Sequence, residues 1–271
     1  MTPPKFVFWG SDDFSLGVLD GLAAKGHQPA LIVGTPPSLK RGQPQPAATA
    51  HWAASHQIPF TTDPRTIAPQ TYDFFIVASY GQIISPELLR RPKLGTINVH
   101  PSLLPKYRGA TPLQSAILNG ESETGVTLIE LDEQLDHGPI LAQATQPLND
   151  LTFSELRDQL TKRGAELLDE ILPAYLARTL KPQNQNHDQA TFTRKLSKVD
   201  AELKTTDSAL TKFKKVLALN PEPGTWLIDE RGRRLKIKTA RLENGQFVPE
   251  KVVPEGKREM AWSDYCRGQQ P

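Results

Sequence analysis

Cysteine is almost missing from this chain: Cys266 is the only one in 271 residues. One thiol closes no internal disulfide and builds no thiolate cluster, which points to a reducing, cytoplasmic setting. No obvious base neighbours Cys266, so it reads as incidental. The six histidines are scattered, without cysteine or histidine partners at ligand spacing, and no metal is expected. Long apolar runs are absent as well. None approaches the roughly 18 residues that a membrane-crossing helix needs. The start, "MTPPKFVFWGSDDF", lacks the basic and apolar regions of a signal peptide. Gly-x-Ser-x-Gly does not occur, which argues against an acyl-enzyme hydrolase of the nucleophile-elbow kind. The first strand ends in one glycine, not in Gly-x-Gly-x-x-Gly, so a dinucleotide site has no support.

What is present describes a folded, soluble chain. Apolar residues make up 38% and charged residues 23%, and 24 prolines imply many ordered loops. The net charge of +2 hides an asymmetry. Residues 1–180 carry 14 basic and 18 acidic side chains, whereas residues 181–271 carry 18 and 12. A basic final third suits an anionic partner, nucleic acid first, or a solvated basic surface; charge alone does not separate the two.

Strand and helix patterns alternate through the first two thirds. "KFVFWG", "PALIVGT", "YDFFIVAS" and "LGTINVH" read as buried parallel strands. Helical patterns follow over 11–27, 47–56, 86–91 and 110–120, and "TGVTLIELD" and "GPILAQATQPL" are two later strands. The longest helical pattern covers 151–177, with Thr152 or Ser154 as its cap. Residues 181–195, "KPQNQNHDQATFTRK", are polar and aperiodic and read as a linker. A short helix and several short strands end the chain. The expected fold is α/β: a Rossmann-like, mostly parallel sheet over residues 1–182, a linker over 183–204, and a small β-rich, barrel-like (OB-like) domain over 205–271.

One stretch, "TINVHPSLLPKYRGATP", carries chemistry. Asn98 and His100 are two apart on a strand and share a face. Pro101 stops the strand right behind them. In an open parallel sheet this is the carboxyl end, where ligands sit. An amide and an imidazole there can both donate to one oxyanion. A carboxylate that orients the imidazole would complete the group, and Asp136 and Asp132 both qualify by position.

Asn98, His100, "SLLP" at 102–105 and Asp-x-Gly at 136–138, in that order, resemble the formyltransferases that use 10-formyltetrahydrofolate. "FWGSDDF", "LKRGQPQP", "RGATP", "LDHGPIL" and "NPEPGTWL" resemble the methionyl-tRNA formyltransferase branch over nearly the whole length, with a shortened C-terminal domain. Pro101 departs from the small residue usual before "SLLP". The resemblance implies a catalytic trio of Asn98, His100 and Asp136. It implies a folate-binding loop at Ser102, Leu103, Leu104 and Pro105, and a pterin-contacting segment, "SYGQIIS", with Gln82, Ile83 and Ile84. The expected co-substrate is 10-formyltetrahydrofolate, without a metal. The expected acceptor is methionyl initiator tRNA, met by Lys40 and Arg41 and by the basic final domain of a monomer. The alternatives are a small acceptor, such as glycinamide ribonucleotide or an amino-sugar nucleotide, and a catalytically silent RNA-binding module.

Overall fold

The computed structural model describes residues 3–40 and 42–268. The chain divides into two compact units. The first contains the chain up to Gly109, Gly125–Gln146 and Arg157–Phe192. The second contains Ala110–Thr124, Pro147–Leu156 and the chain from Thr193 onward.

A seven-stranded sheet organises the first unit. Its strands are β1 (Phe6–Trp9), β2 (Leu31–Val33), β5 (Phe60–Thr61), β6 (Phe74–Val77), β7 (Thr96–His100), β9 (Glu123–Glu130) and β10 (Ile140–Pro147). Two further strands, β3 (Ser38–Lys40) and β4 (Gln43–Gln45), form a separate hairpin in the proline-rich loop. The sheet order is β10-β9-β7-β6-β1-β2-β5. β1, β2, β5, β6 and β7 pair in parallel, and β9 runs antiparallel to β7. The reason lies in the sequence: β1, β6 and β7 are buried at every position, as continuous apolar runs between helices require.

Several helices begin at side-chain caps. α1 (Asp13–Ala24) starts at Asp12, which accepts from the Ser15 N–H in a capping box. α2 (Ala48–Ser55) and α3 (Pro86–Leu89) follow, the latter capped by Ser85. α5 (Phe153–Leu176) opens on a second capping box, Thr152 with Glu155. Gly164 brings α5 close under β7: a Cβ there would lie 2.9 Å from Cγ1 of Val99, the buried residue between Asn98 and His100. The segment read as a linker is ordered at its start. Gln183 exchanges backbone hydrogen bonds with Ile140 at 2.8 and 2.7 Å. Two short strands follow the same logic, β8 (Arg108–Gly109) and β11 (Phe192–Thr193), where the Arg108 N–H meets the Thr191 carbonyl at 2.8 Å.

In the second unit, α4 (Pro112–Asn119) ends at Gly120 in the left-handed region, φ 67°. An antiparallel sheet has the order β12 (Trp226–Ile228), β13 (Arg234–Glu243), β14 (Gln246–Pro254), β15 (Met260–Ala261). Asn244 and Gly245, both at positive φ, turn β13 into β14 as a two-residue hairpin loop does. Leu235, Ile237 and Val252 face Leu203, Tyr265 and Val216 of α6 (Ala209–Leu219). The opposite face carries Trp226, Arg234, Lys236 and Lys251, with the Arg234 guanidinium 3.9 Å from the Trp226 ring centroid. A last helix, α7 (Trp262–Arg267), supplies Tyr265, whose hydroxyl donates to Asp229 at 2.8 Å.

Candidate active site

Parallel strands deliver their carboxyl ends to one edge of the sheet, and the loops that leave β1, β6 and β7 gather there. Val77 at the end of β6 pairs with Asn98 of β7, so the 79–85 loop starts beside the Asn-x-His pair. Asn98 and His100 are 8% and 4% exposed, on the same face of β7. Pro101 ends the strand, and the chain turns with the Ser102 N–H on the His100 carbonyl at 3.0 Å.

Asp136 reaches this point from the loop between β9 and β10. Its Oδ1 lies 3.5 Å from Asn98 Nδ2 and 3.6 Å from His100 Nδ1. Its Oδ2 accepts from the Gly109 N–H at 2.8 Å. The three side chains singled out in the sequence therefore meet at one carboxylate oxygen. Asp132, the other carboxylate in reach by sequence, is engaged elsewhere: its Oδ2 bonds His137 Nδ1 at 2.6 Å.

The tautomer of His100 is set by a backbone carbonyl and not by a carboxylate. His100 Nε2 lies 2.9 Å from the Tyr107 carbonyl. A carbonyl only accepts, so Nε2 carries the proton and Nδ1 is the nitrogen turned toward Asp136. Tyr107 and Asp136 both hold positive φ, 62° and 47°, outside the regions a side chain prefers. Such backbone persists where its surroundings over-determine it.

The 102–105 loop is built from inside. Ser102 is fully buried and donates to the Lys106 carbonyl at 2.7 Å. Thr127 on β9 donates to the Ser102 carbonyl at 2.6 Å and accepts from the Leu104 N–H at 3.1 Å. Leu104 is 3% exposed, whereas Leu103 and Pro105 are half-buried. In the 79–85 loop, Gln82 is exposed, Ile83 is 99% exposed and Ile84 packs against the core around Trp9 and Tyr80. The loop that follows β1 anchors this segment. Ser79 donates to Asp12, the cap of α1, and Ser11 Oγ donates to the Tyr80 carbonyl at 3.3 Å. Ser11 Oγ also accepts from the Thr35 N–H at 2.9 Å. Lys40 lies in β3, but its side chain, like the whole of Arg41, is outside the described residues. Among the described residues no group of histidine, cysteine and carboxylate side chains has the arrangement of a metal site.

Five residues around Asp136 were given no role by the sequence, although Arg108 and Gly109 open the "RGATP" motif. Besides Tyr107 and Gly109 they are Arg108, Gln185 and His187. Gln185 Nε2 donates to the Asp136 and Gly138 carbonyls at 2.9 and 2.7 Å. Arg108 Nη2 donates to Gln185 Oε1 at 2.6 Å and to His187 Nδ1 at 2.9 Å. The His187 ring stacks on His137 at 4.0 Å. Partial desolvation, then the neighbouring His137 and Arg108, hold His187 below the ordinary imidazole range, in keeping with a ring nitrogen that accepts from a guanidinium. Nothing local marks their role; Gln185 and His187 lie in the aperiodic stretch that reads as a linker.

The family model for "Formyl transferase" matches residues 39–176. A methionyl-tRNA formyltransferase from Roseiflexus sp. (strain RS-1) is 35% identical, with 98% of this chain and 93% of that relative covered. Another, from Thermus thermophilus, is 34% identical over 97% of this chain and 96% of the relative. The chain belongs to the methionyl-tRNA formyltransferase family. The Roseiflexus alignment runs over 302 positions, more than the 271 residues here, so that member of the family carries segments that this chain lacks. The fold extends beyond methionyl-tRNA formyltransferases. A solved N-formyltransferase from Helicobacter canadensis, in complex with folinic acid and dTDP-3-aminofucose, superposes with a TM-score of 0.70 at 20% identity, covering 95% of this chain and 98% of that one. The methionyl-tRNA formyltransferase of Clostridium thermocellum gives a TM-score of 0.61 at 14% identity over 93% and 98%.

Proposed function

We propose that this enzyme transfers the formyl group of 10-formyltetrahydrofolate to the α-amino group of methionyl initiator tRNA, with Asn98, His100 and Asp136 as its catalytic residues. The observation that carries the reading is the approach of Asn98 Nδ2 and His100 Nδ1 to the same oxygen of Asp136, at 3.5 and 3.6 Å. The first is at the outer limit of hydrogen bonding and the second beyond it, so all three groups can still turn to a substrate atom held among them.

The amine attacks in its neutral form; an α-amine titrates at about 7.7–8.0. Attack places negative charge on the formyl oxygen. The Asn98 amide donates to that oxygen, and so does His100 Nδ1 when it carries a proton. Because Nε2–H is held by the Tyr107 carbonyl, every proton that His100 gains or loses moves at Nδ1. Asp136 faces that atom as a carboxylate, stabilises the imidazolium and relays the proton released by the amine to N10 of the folate, so that the formyl C–N10 bond breaks and tetrahydrofolate leaves as the neutral amine.

The 102–105 loop and Gln82–Ile84 bind the folate, beside the carboxyl ends of β6 and β7. Gln82 and Ile83 are exposed and Ile84, Leu103 and Pro105 half-buried, so these are the members left accessible for it. Lys40, the last residue of β3, Arg41 and the basic face of the C-terminal sheet bind tRNA phosphates. The enzyme acts as a cytoplasmic monomer.

The test offers formyl-labelled 10-formyltetrahydrofolate with methionyl-tRNA, glycinamide ribonucleotide and amino-sugar nucleotides in parallel. Label on methionyl-tRNA alone is the expected result. Label on a small amine, with methionyl-tRNA unlabelled, replaces the acceptor. No label anywhere favours a silent RNA-binding protein.

A further inference from the structure

We infer that Gln185 is a positioning residue for Asp136, fixing the backbone of the Asp-His-Gly turn so that the carboxylate faces Asn98 and His100; the inference rests on the catalytic reading of Asp136 given above. Asp136 sits at φ 47°, a conformation that costs an aspartate some free energy and that its surroundings must favour. Gly109 holds one side-chain oxygen. The peptide itself is held by Gln185, which is 5% exposed.

A glutamine amide has two N–H donors, and here they go to the carbonyls at both ends of the turn, Asp136 and Gly138. Both partners only accept, so the amide nitrogen must face them and Oε1 must face away. Arg108, 4% exposed, donates to that Oε1, and a guanidinium has no acceptor to offer. A flipped amide would set donor against donor and oxygen against two carbonyls, so the bracket has one orientation. Gly138 adds a steric stop: a Cβ there would lie 1.8 Å from the Glu130 carbonyl oxygen, so the turn lies flat against the end of β9. Arg108 also bonds His187, two residues beyond Gln185, and so ties the post-α5 segment to the loop after β7. Without the bracket the Asp136 peptide is free to relax toward ordinary φ, and its carboxylate swings away from His100. A misplacement of about 1 Å can cost on the order of 100-fold in rate.

The experiment measures kcat and KM for both substrates in Gln185→Ala and Gln185→Met, alone and combined with Asp136→Asn. Gln185→Met keeps the volume while removing both donors, and guards against an alanine variant that fails to fold. The expected result is a fall in kcat of about 10- to 100-fold with KM for folate nearly unchanged. In the Asp136→Asn background the same substitution should have almost no further effect. Equal fractional losses with and without the Asp136 carboxylate would show that Gln185 does not act through it and would overturn the proposal. Wild-type kcat in Gln185→Met would do the same. Asp136→Asn with full turnover would instead sink the reading of Asp136, and the positioning role with it.

Discussion

Asn98 illustrates how much one amide can carry. It sits 8% exposed on a strand whose neighbours are apolar, and its Nδ2 has a long contact, 3.5 Å, to Asp136. A buried amide kept only for stability would be expected to have shorter bonds. Asn98→Ala should lower kcat by about 100- to 1,000-fold, as loss of an oxyanion donor does, while methionyl-tRNA binding stays nearly the same. Single-turnover assays with a tRNA filter-binding control would measure both; turnover within a few-fold of the parent would remove Asn98 from the mechanism. Asn98 and His100 stood out because two polar residues break an apolar strand and a proline stops it; position left Asp136 and Asp132 both open, and only the family resemblance pointed to Asp136. The roles of Gln185 and Arg108 were not readable. Gln185 bonds carbonyls 49 and 47 residues away in sequence, and a glutamine in a stretch of Asn and Gln looks like any other.

Secondary elements were legible in proportion to their apolar content. The buried strands β1, β6 and β7 and the capped helices α1 and α5 lie where periodicity and caps place them. The β3–β4 hairpin was missed because alternate prolines and glutamines give no apolar face to detect. α7 was missed because six residues are too few for a period to show. That helix is fastened by Asp229, whose carboxylate takes the Tyr265 hydroxyl and the N–H groups of Arg231 and Arg233, at 2.8, 3.0 and 2.7 Å. Burial alone would raise the Asp229 pKa, but the Arg233 N–H and the Tyr265 hydroxyl outweigh it and bring it to about 2. An unfolded aspartate titrates at about 3.9. The folded value is the lower one, so the stabilisation is complete above about pH 4 and is lost as pH falls toward about 2. Asp229→Asn should therefore melt below the parent at pH 7, and the gap should narrow through that acid window. Thermal melts at pH 7, 4 and 2.5 check this; identical melting at pH 7 would count against it.

For the whole chain, charge asymmetry was the most accessible property and the least specific. Part of that charge lies on one sheet face of the second unit, where Trp226, Arg234, Lys236 and Lys251 stand together. Binding through such a face releases counterions, so the logarithm of tRNA affinity should fall linearly with the logarithm of salt, by about 0.7 to 0.9 per phosphate neutralised. Lys236→Glu with Lys251→Glu should weaken tRNA binding several-fold and flatten that slope, with folate affinity unaffected. Fluorescence anisotropy between 50 and 200 mM salt would resolve it; an unchanged slope would assign tRNA contact to some other surface. The division into units also differs from a simple cut after the long helix, because α4 and the start of α5 cluster with the C-terminal residues. A contact made by segments about a hundred residues apart leaves no trace in local composition.

Gly164 sets a constraint on anyone engineering this enzyme for heat resistance. Helix-propensity tables favour alanine over glycine mid-helix by about 0.8 to 1 kcal/mol, so α5 would top a list of consensus repairs. The added methyl would press on Val99 at 2.9 Å, and Val99 is flanked by Asn98 and His100. Gly164→Ala should keep the fold but lower turnover at least several-fold, visible as a rate loss without a matching drop in melting temperature. In this position local robustness and reactivity pull in opposite directions, and a screen that selects on thermal tolerance alone would discard the catalyst.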